Sequence, residues 1–474
     1  MNYFPRTKIV CTIGPACDTP SMLEELIQAG MNVARLNFSH GTHAEHGSTI
    51  KNIRHISQRL NKPVAILQDL SGPKIRIKSI YKDSITLKGN DVFTLTNNDR
   101  EGNEEIVSIT YNPLPDIVFP GDTIFLSDGE IELRVISKDS NNITCRIIVG
   151  GVLSPGKGVN IPVRSLPIPS LTEKDKRDLA FGIEHDVDYV ALSFVKEVND
   201  ILELKDILRR KNKDIPVVAK IEKHEAINNL EEIIKAADAL MVARGDLGVE
   251  IPLERVPLIQ KKIIHLANCY CKPVITATQM LGSMVRNYRP TRAEISDVAN
   301  AIYDGSDAIM LSEETAKGRY PIASVSMLSK VAREIEPGLV RKKHFEELQI
   351  PDIPITVPDA ISIATCQISN NLNTKVILTT TQSGSTARFI SKYRPKQLIL
   401  AVTPSSITYR RLALVWGVVP IVTEPIQNTD DMMRSSINAA KNAGYIKEGE
   451  MVVFTGGVPI WKPGSTNLLR VFSS

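Results

Sequence analysis

Eight short runs rich in β-branched and apolar residues recur along the first two thirds of this 474-residue chain. Most of them are too continuously apolar to alternate, which is typical of strands covered on both faces. Six of the seven spacings between successive starts are 22 to 35 residues, the length of one strand–helix unit, so the pattern predicts a (β/α)₈ TIM barrel. The runs occupy residues 8–13, 32–37, 64–70, 189–195, 217–222, 239–244, 273–279 and 308–312.

The remaining spacing, 125 residues between the third and fourth runs, is long enough to hold a whole inserted domain. Its short strands, separated by Asn, Asp and Gly turns, predict a small all-β barrel or sandwich. Gly72-Pro73 and the segment 166–169, LPIP, stand at its borders as candidate hinges. The last region alternates helical and strand patterns, as in an open α/β domain. We therefore expect four segments: barrel 1–72, inserted β-rich lid 73–166, barrel 167–345 and C-terminal α/β regulatory domain 346–474.

Charge and hydropathy exclude several classes of protein. The net charge is only +4, from 57 basic and 53 acidic residues, and gives no footprint for nucleic acid. No apolar run approaches the roughly 18 residues of a membrane span, and the N-terminus has no signal-peptide pattern. Six sparse cysteines lack zinc-type spacing and are expected to be buried thiols. We expect a cytoplasmic protein that does not bind membranes.

Polar side chains cluster where the predicted strands end. In barrels of this kind the chemistry lies at the carboxyl ends of the strands, so these side chains should share one mouth. A single charged residue at a strand end usually only marks where the chain meets solvent. Eight strand ends that together carry both signs of charge favour a site for an anion and a hard metal. The residues are Thr12, Arg35, Asn37, Asp69, Ser193, Lys220, Glu222, Arg244, Asp246, Thr278, Ser312 and Glu314.

Glu222 and Asp246 are the best candidates for metal ligands. Two carboxylates without a neighbouring histidine or cysteine suit Mg²⁺ or Mn²⁺ rather than zinc. Lys220 points to the same barrel face and could neutralise a phosphate, although a salt bridge among the three residues is an alternative. Walker, Rossmann and nucleophile-elbow motifs are absent from the sequence.

The strand-end segments together resemble the pyruvate kinase family. The matching stretches include KIVCTIGPA, MNVARLNFSHG, AKIEKHEAINNLEEI, MVARGDLGVEIP and RPTRAE followed by ETAKG, in the family's order. The resemblance implies transfer of a phosphoryl group from phosphoenolpyruvate to ADP, giving pyruvate and ATP in the last step of glycolysis. Two rivals are a Mg²⁺-dependent barrel lyase or aldolase acting on a small keto acid, and a barrel kept as a binding module.

The resemblance also implies roles for individual residues. Glu222 and Asp246 would hold Mg²⁺, while Lys220 and Arg35 would contact the phosphoryl group. The N–H groups of Arg244, Gly245 and Asp246, with the hydroxyl of Thr278, would bind the substrate carboxylate. A water relay at Thr278 and Ser312, oriented by Glu314, would protonate the enolpyruvate. The residues expected to bind nucleotide or its phosphates are Asn37, His40, Arg76 and Lys157.

Two further sites follow from the resemblance. Potassium-dependent members bind K⁺ at positions matching Asn37, Ser39, Asp69 and the carbonyl of Leu70, but Lys74 stands where those members have glutamate. An ammonium there is expected to substitute for the cation, so we predict K⁺ independence. The loop after residue 380 opens a helix and should bind a sugar phosphate or AMP as effector. Its predicted residues are Thr381, Ser383, Gly384, Ser385, Thr386, Arg434, Trp461, Lys462 and Gly464, in a protein expected to be a homotetramer.

Overall fold

Eight parallel strands form a closed barrel in the computed structural model, which describes residues 5–162, 164, 166–339, 354–425, 428–459 and 464–474. Each predicted run contains one of them. The strands are β1 Lys8–Thr12, β2 Val33–Asn37, β3 Ala65–Asp69, β12 Tyr189–Leu192, β13 Val217–Ile221, β14 Ala239–Ala243, β15 Val274–Ala277 and β16 Ala308–Leu311. They are paired in chain order, and β16 closes the ring on β1 through the register Lys8 with Ala308. The predicted barrel is confirmed.

Two barrel strands end two or three residues earlier than predicted, at Leu192 and at Ala277. The backbone there enters the left-handed region, with φ of 56° at Phe194, 70° at Thr278 and 56° at Gln279. A strand cannot continue through such angles, and they are uncommon for residues other than glycine. Both turns therefore aim main-chain groups at the mouth instead of extending the strand.

Amphipathic helices cover the outside of the barrel. Val198–Arg210, for example, buries Ile201, Leu204 and Leu208 along one stripe. Several helices begin with a capping box, in which a threonine and an acidic residue three positions later satisfy the first N–H groups. The barrel helices are Pro20–Ala29, His43–Arg59, Glu173–Glu184, Val198–Arg210, His224–Asn228, Leu230–Ala236, Arg244–Glu250, Val256–Cys269, Arg292–Tyr303, Glu313–Ala316 and Pro321–Leu339.

The inserted segment forms a six-stranded sheet in the order β11-β7-β8-β9-β5-β6, and a separate ladder of β10 with β4. Its β-rich character is confirmed, but the short strands β6, β10 and β11 were not predicted. The strands are β4 Ile85–Leu87, β5 Val92–Thr96, β6 Ile106–Ser108, β7 Thr123–Leu126, β8 Ile131–Lys138, β9 Asn142–Val149, β10 Gly151–Leu153 and β11 Val159–Asn160, with one helical turn at Leu114–Ile117.

The C-terminal segment is an open five-stranded sheet in the order β19-β18-β17-β20-β21, as expected for an α/β domain. Its last strand is antiparallel to β20 and half exposed, and the sequence did not reveal it. The strands are β17 Val376–Thr380, β18 Leu398–Thr403, β19 Val418–Val422, β20 Met451–Gly457 and β21 Thr466–Ser473. The helices are Val357–Asn371, Ser385–Lys392, Ser406–Arg411 and Thr429–Asn442.

A buried arginine joins this C-terminal sheet domain to the barrel. The Arg394 guanidinium donates to Asp307 Oδ1 at 3.0 Å, to Asn268 Oδ1 at 2.9 Å and to the Gly305 carbonyl at 2.7 Å. Arg394 is 7% exposed, so these bonds are made largely out of water. Asp307 directly precedes β16, and the joint therefore lies at the end of the barrel opposite the polar mouth.

Leu414 of the C-terminal domain adds to this joint by packing into the apolar cluster inside the barrel. All six cysteines are free and all but Cys271 are buried, as the sequence predicted. In the described ranges, no helix has both the length and the apolar character needed to cross a membrane.

Candidate active site

Lys220, near the end of β13, lies at the centre of the polar mouth. Its ammonium is 2.9 Å from Glu222 Oε1 and 3.3 Å from Asp69 Oδ1, and it donates to Ser193 Oγ at 2.7 Å. Burial alone would lower the pKa of Lys220, but the two carboxylates outweigh it and hold the pKa above its usual value. Lys220 is thus a permanent cation. The residue is 8% exposed and faces the barrel mouth.

Arg35 adds a second cation to this cluster. Its Nε donates to Asp69 Oδ2 at 2.6 Å and one terminal nitrogen donates to Thr12 Oγ1 at 2.9 Å. Burial would raise the pKa of Asp69, but Lys220 and Arg35 lower it below its ordinary value. Asp69 is therefore a buried carboxylate shared by two cations, a role that the sequence did not predict although its strand-end position pointed to the mouth.

Glu222 and Asp246 provide the oxygen ligands proposed for a metal. Glu222 is 1% exposed, and its Oε2 accepts a hydrogen bond from the N–H of Phe194 at 2.7 Å. The Asp246 side chain is more accessible, and its Oδ1 lies 3.5 Å from the Lys74 ammonium. One fixed and one accessible carboxylate fit a hard divalent cation that completes its shell with substrate oxygens and water.

Main-chain N–H groups follow β14 at Arg244, Gly245 and Asp246, where a short helix begins. The Gly245 N–H donates to Thr278 Oγ1 at 2.8 Å, so this segment and the end of β15 are joined directly. The Arg244 side chain does not point to the substrate position. Its guanidinium donates to Asp297 at 2.8 Å and to the Thr278 carbonyl at 2.7 Å, which helps hold Thr278 in its left-handed conformation.

Ser312 and Glu314 complete the mouth at the end of β16. Glu314 is 2% exposed and accepts the N–H of Leu281 at 3.1 Å and the N–H of Ser312 at 2.7 Å. The Ser312 hydroxyl is buried and has no hydrogen-bond partner among the described residues. A buried hydroxyl in this condition is available to a water or a substrate atom.

The inserted domain brings Arg76 and Lys157 close together through an isolated bridge between Arg76 and Gly158. Arg76 pairs with Gly158 and donates to the Gly156 carbonyl at 2.8 Å, and the Ile77 N–H donates to the Lys157 carbonyl at 2.9 Å. The exposed ammonium of Lys157 is thus carried by a loop that Arg76 holds in place.

His40 lies on the barrel side facing these cations. Burial lowers the pKa of His40, and the positive charges of Arg76, Arg35, Lys317 and Lys74 lower it further. His40 is therefore kept neutral beside a strongly positive surface. Such a surface suits a polyphosphate.

The residues predicted to bind K⁺ already have partners within the protein. The Asn37 side-chain oxygen accepts the N–H of Ser39 at 3.1 Å, and the Leu70 carbonyl accepts the Ser193 hydroxyl at 2.7 Å. Asp69 is held by the two cations described above.

Lys74 carries the positive charge that is predicted from the sequence to replace K⁺. Its ammonium lies 3.0 Å from Asp128 in the inserted domain and 3.5 Å from Asp246 in the barrel. Burial would lower the pKa of Lys74, but these two carboxylates raise it above its usual value. It therefore connects the inserted domain to a proposed metal ligand.

The predicted effector loop lies between β17 and the helix Ser385–Lys392. Gly384 has a φ of 82°, and its N–H donates to Thr381 Oγ1 at 2.9 Å, while the Ser383 hydroxyl donates to Ser385 Oγ at 3.2 Å. Thr386 shares a hydrogen bond with Thr466 of β21 at 2.8 Å.

Four further residues were predicted to close over this loop. Arg434 is exposed on the helix Thr429–Asn442, and Gly464 has a φ of 78°. Trp461 and Lys462 lie outside the described residues.

Comparison with known proteins agrees with the geometry. A family model described as "Pyruvate kinase, barrel domain" matches residues 4–325, and one described as "Pyruvate kinase, alpha/beta domain" matches residues 359–472. The chain is 48% identical over 470 residues to "Pyruvate kinase 2" of Synechocystis sp., covering 98% of this chain and 79% of that protein. It is 47% identical to the "Pyruvate kinase" of Geobacillus stearothermophilus, with 98% and 80% covered, and 45% identical to that of Clostridium acetobutylicum, with 98% and 99% covered.

The two hydrogen bonds that the Glu314 carboxylate accepts should contribute to the stability of the fold. Replacing Glu314→Gln leaves one acceptor for two buried donors, so one N–H faces an amide nitrogen. We expect a loss of about 1 to 3 kcal/mol in the free energy of unfolding, measured by urea denaturation. The matched control is Glu313→Gln, which removes only the charge of a half-exposed pair with Lys317. Equal stability of the two variants would contradict the assignment.

Proposed function

The chain belongs to the pyruvate kinase family, and we propose that the residues of its barrel mouth carry out the family's reaction in the roles given below. It is a phosphotransferase that passes the phosphoryl group of phosphoenolpyruvate to ADP and forms pyruvate and ATP. The rival interpretation as a lyase or aldolase is not favoured. The observation that carries the residue assignment is the convergence of Lys220, Asp69 and Glu222 on one buried cluster.

We assign the phosphoryl group to the cations Lys220 and Arg35. As the group leaves the enol oxygen, negative charge spreads over its oxygens, and fixed positive charge in a dry site stabilises that state most. Asp69 keeps both cations in position with bonds of 2.6 and 3.3 Å.

The family requires a divalent metal, and we propose Mg²⁺, or Mn²⁺, at Glu222 and Asp246. The all-oxygen donor pair, one buried and one accessible, supports this assignment. When bound, the ion neutralises charge on the substrate carboxylate and phosphate. With Glu222 holding the ion, Lys220 would keep Asp69 and Ser193 as partners.

The substrate carboxylate is proposed to lie against the N–H groups of Arg244, Gly245 and Asp246 and the Thr278 hydroxyl, where it would replace the bond between the Gly245 N–H and Thr278 Oγ1. Phosphoryl transfer leaves the enolate of pyruvate, which takes a proton at C3. A water held between Thr278 and Ser312 is the proposed donor. The Ser312 hydroxyl, which has no hydrogen-bond partner among the described residues, and the Glu314 bond to the Ser312 N–H support this route.

Nucleotide binding is proposed for Asn37, His40, Arg76 and Lys157. The neutral His40 and the surrounding positive charge support a site for the phosphates of ADP. Because Arg76 and Lys157 belong to the inserted segment, that segment would act as a lid that completes the site and excludes water. The four domain boundaries, the homotetramer and the cytoplasmic location stay predictions.

The role of Lys220 is tested by Lys220→Met. We expect kcat for pyruvate formation to fall by about 10² to 10³, because one preorganised charge opposite the phosphoryl group is lost. The measurement is a coupled pyruvate assay, run with and without ADP and Mg²⁺, both of which the wild type should require. Proton exchange at C3 of pyruvate should partly survive, since it moves no phosphoryl group. Turnover near the wild-type rate would rule out the role.

We propose that the enzyme does not need K⁺, because Lys74 supplies the charge and the matching ligands already have internal partners. Activity should stay within about tenfold, or about 1.4 kcal/mol, when K⁺ and NH₄⁺ are replaced by a bulky inert cation at equal ionic strength. The matched variant Lys74→Glu removes the ammonium and should make activity rise with added K⁺. A larger loss in the wild type would mean that Lys74 does not replace the ion.

The effector site proposed for the loop 381–386 needs a binding test. Gly384 in the left-handed region and the paired hydroxyls of Ser383 and Ser385 support an anion-binding loop at the helix start. We expect a sugar phosphate or AMP to bind and to lower the half-saturating phosphoenolpyruvate concentration, and Ser385→Ala to weaken the effect. Calorimetric titrations with both ligand classes that show neither heat nor altered kinetics would reject the site.

A further inference from the structure

The segment 166–170 returns the chain from the lid to the barrel and makes contacts with both of them. The side chains of Leu166 and Ile168 pack against the apolar core of the lid. Their carbonyl oxygens accept hydrogen bonds from the ammonium of Lys196, at 3.1 and 2.9 Å. Lys196 belongs to the barrel, so one lysine joins the main chain of the lid's border to the barrel.

Lys196 is itself firmly placed. Its N–H donates to Asp200 Oδ2 at 2.8 Å, within the cap of the helix Val198–Arg210, and its carbonyl accepts the Asn229 amide at 2.9 Å. The part of the chain that the structure describes offers its ammonium no carboxylate partner within 4 Å. The ammonium is therefore directed at the two carbonyls instead of forming an ordinary surface ion pair.

The turn that carries Lys196 also touches the catalytic cluster. Two residues earlier, the Phe194 N–H donates to Glu222 Oε2 at 2.7 Å. The Phe194 carbonyl accepts the hydroxyl of Ser170, which is buried, at 3.0 Å. One short turn thus contacts a proposed metal ligand at one end and the border segment at the other.

The space beside this junction is not filled. A cleft of about 40 Å³, open to solvent, lies between Pro73 and Ile161 of the lid and Phe194, Lys196 and Lys223 of the barrel. Interiors are normally close-packed, so packing alone does not fix the angle of the lid here. Polar contacts therefore contribute to the angle, and the bonds of Lys196 span the junction together with the ion pair of Lys74 and Asp246.

We propose that Lys196 is a positioning residue for ADP: its two bonds to the border segment hold the lid at the angle that presents Lys157 and Arg76 to the nucleotide. This rests on the role of the lid in nucleotide binding proposed above. Phosphoenolpyruvate is assigned to barrel residues alone, so the lysine acts on one substrate and not on the other.

Lys196→Met keeps the aliphatic stem and removes the donor. We expect KM for ADP to rise about tenfold, because the lid must be ordered on each binding event, while KM for phosphoenolpyruvate stays within about twofold. Lys196→Arg, which keeps charge and donors, should restore KM for ADP. In hydrogen exchange, amides of residues 166–172 should exchange faster in Lys196→Met and the barrel strands should not change.

Two comparison variants separate the possible outcomes. Lys205→Met removes a half-buried lysine from the helix that follows Lys196, where it pairs with the barrel residue Asp238 at 2.9 Å, and should leave both KM values unchanged. Lys157→Met should raise KM for ADP if the lid binds nucleotide. A rise with Lys157→Met but none with Lys196→Met overturns the positioning role alone. No rise with either overturns the lid's nucleotide role as well.

A general structural role predicts a different result. If Lys196→Met raises both KM values in parallel, or accelerates exchange throughout the barrel, Lys196 merely stabilises the fold and the proposal is wrong. Should this variant fail to fold, Lys196→Gln replaces it: its shorter, uncharged donor weakens both bonds, so KM for ADP alone should rise, and an unchanged KM or a parallel rise of both values would overturn the proposal.

Discussion

The buried charge cluster around Lys220 is the constraint on which the rest of the mouth depends. Four charged side chains, Arg35, Asp69, Lys220 and Glu222, lie together with at most 9% exposure each. Charges removed from water are tolerable only when each finds a partner at hydrogen-bond distance. They come from three different strands, so the register of the barrel must be correct before any of them is satisfied. The catalytic arrangement and the closed barrel therefore stabilise each other.

The turns that follow the strands convert this scaffold into a site. Phe194 and Thr278 both leave their strands in the left-handed region, a conformation that costs free energy for a side chain bearing a Cβ. Each is held by polar contacts: Phe194 by Glu222 and Ser170, and Thr278 by Gly245 and Arg244. The strain is located where main-chain N–H groups and hydroxyls must face a small substrate.

Much of this arrangement could be predicted from the sequence. The carboxyl ends of the parallel strands in a barrel lie close together, even when many residues separate the strands along the chain. The eight strands, the inserted β-rich segment and the grouping of Lys220 with Glu222 follow from spacing and alternation alone. The partners of Lys74 could not be predicted, since Asp128 reaches it only through the fold of the lid. Lys196 had no sequence signal either, because its acceptors are carbonyls that every residue carries. β21 was not predicted because it is a half-exposed antiparallel strand with no helix before it.

The bond between Arg394 and Asp307 has a mechanical consequence for the mouth. Asp307 precedes β16 and Ser312 follows it, so five residue steps, or about 17 Å of extended chain, separate the C-terminal domain's anchor from the proposed proton relay. A strand hydrogen-bonded on both sides transmits displacement along its axis with little stretching. β16 is thus bonded to the C-terminal domain at its first end and carries the proposed proton relay at its last end, so a shift at one end is passed along the strand to the other.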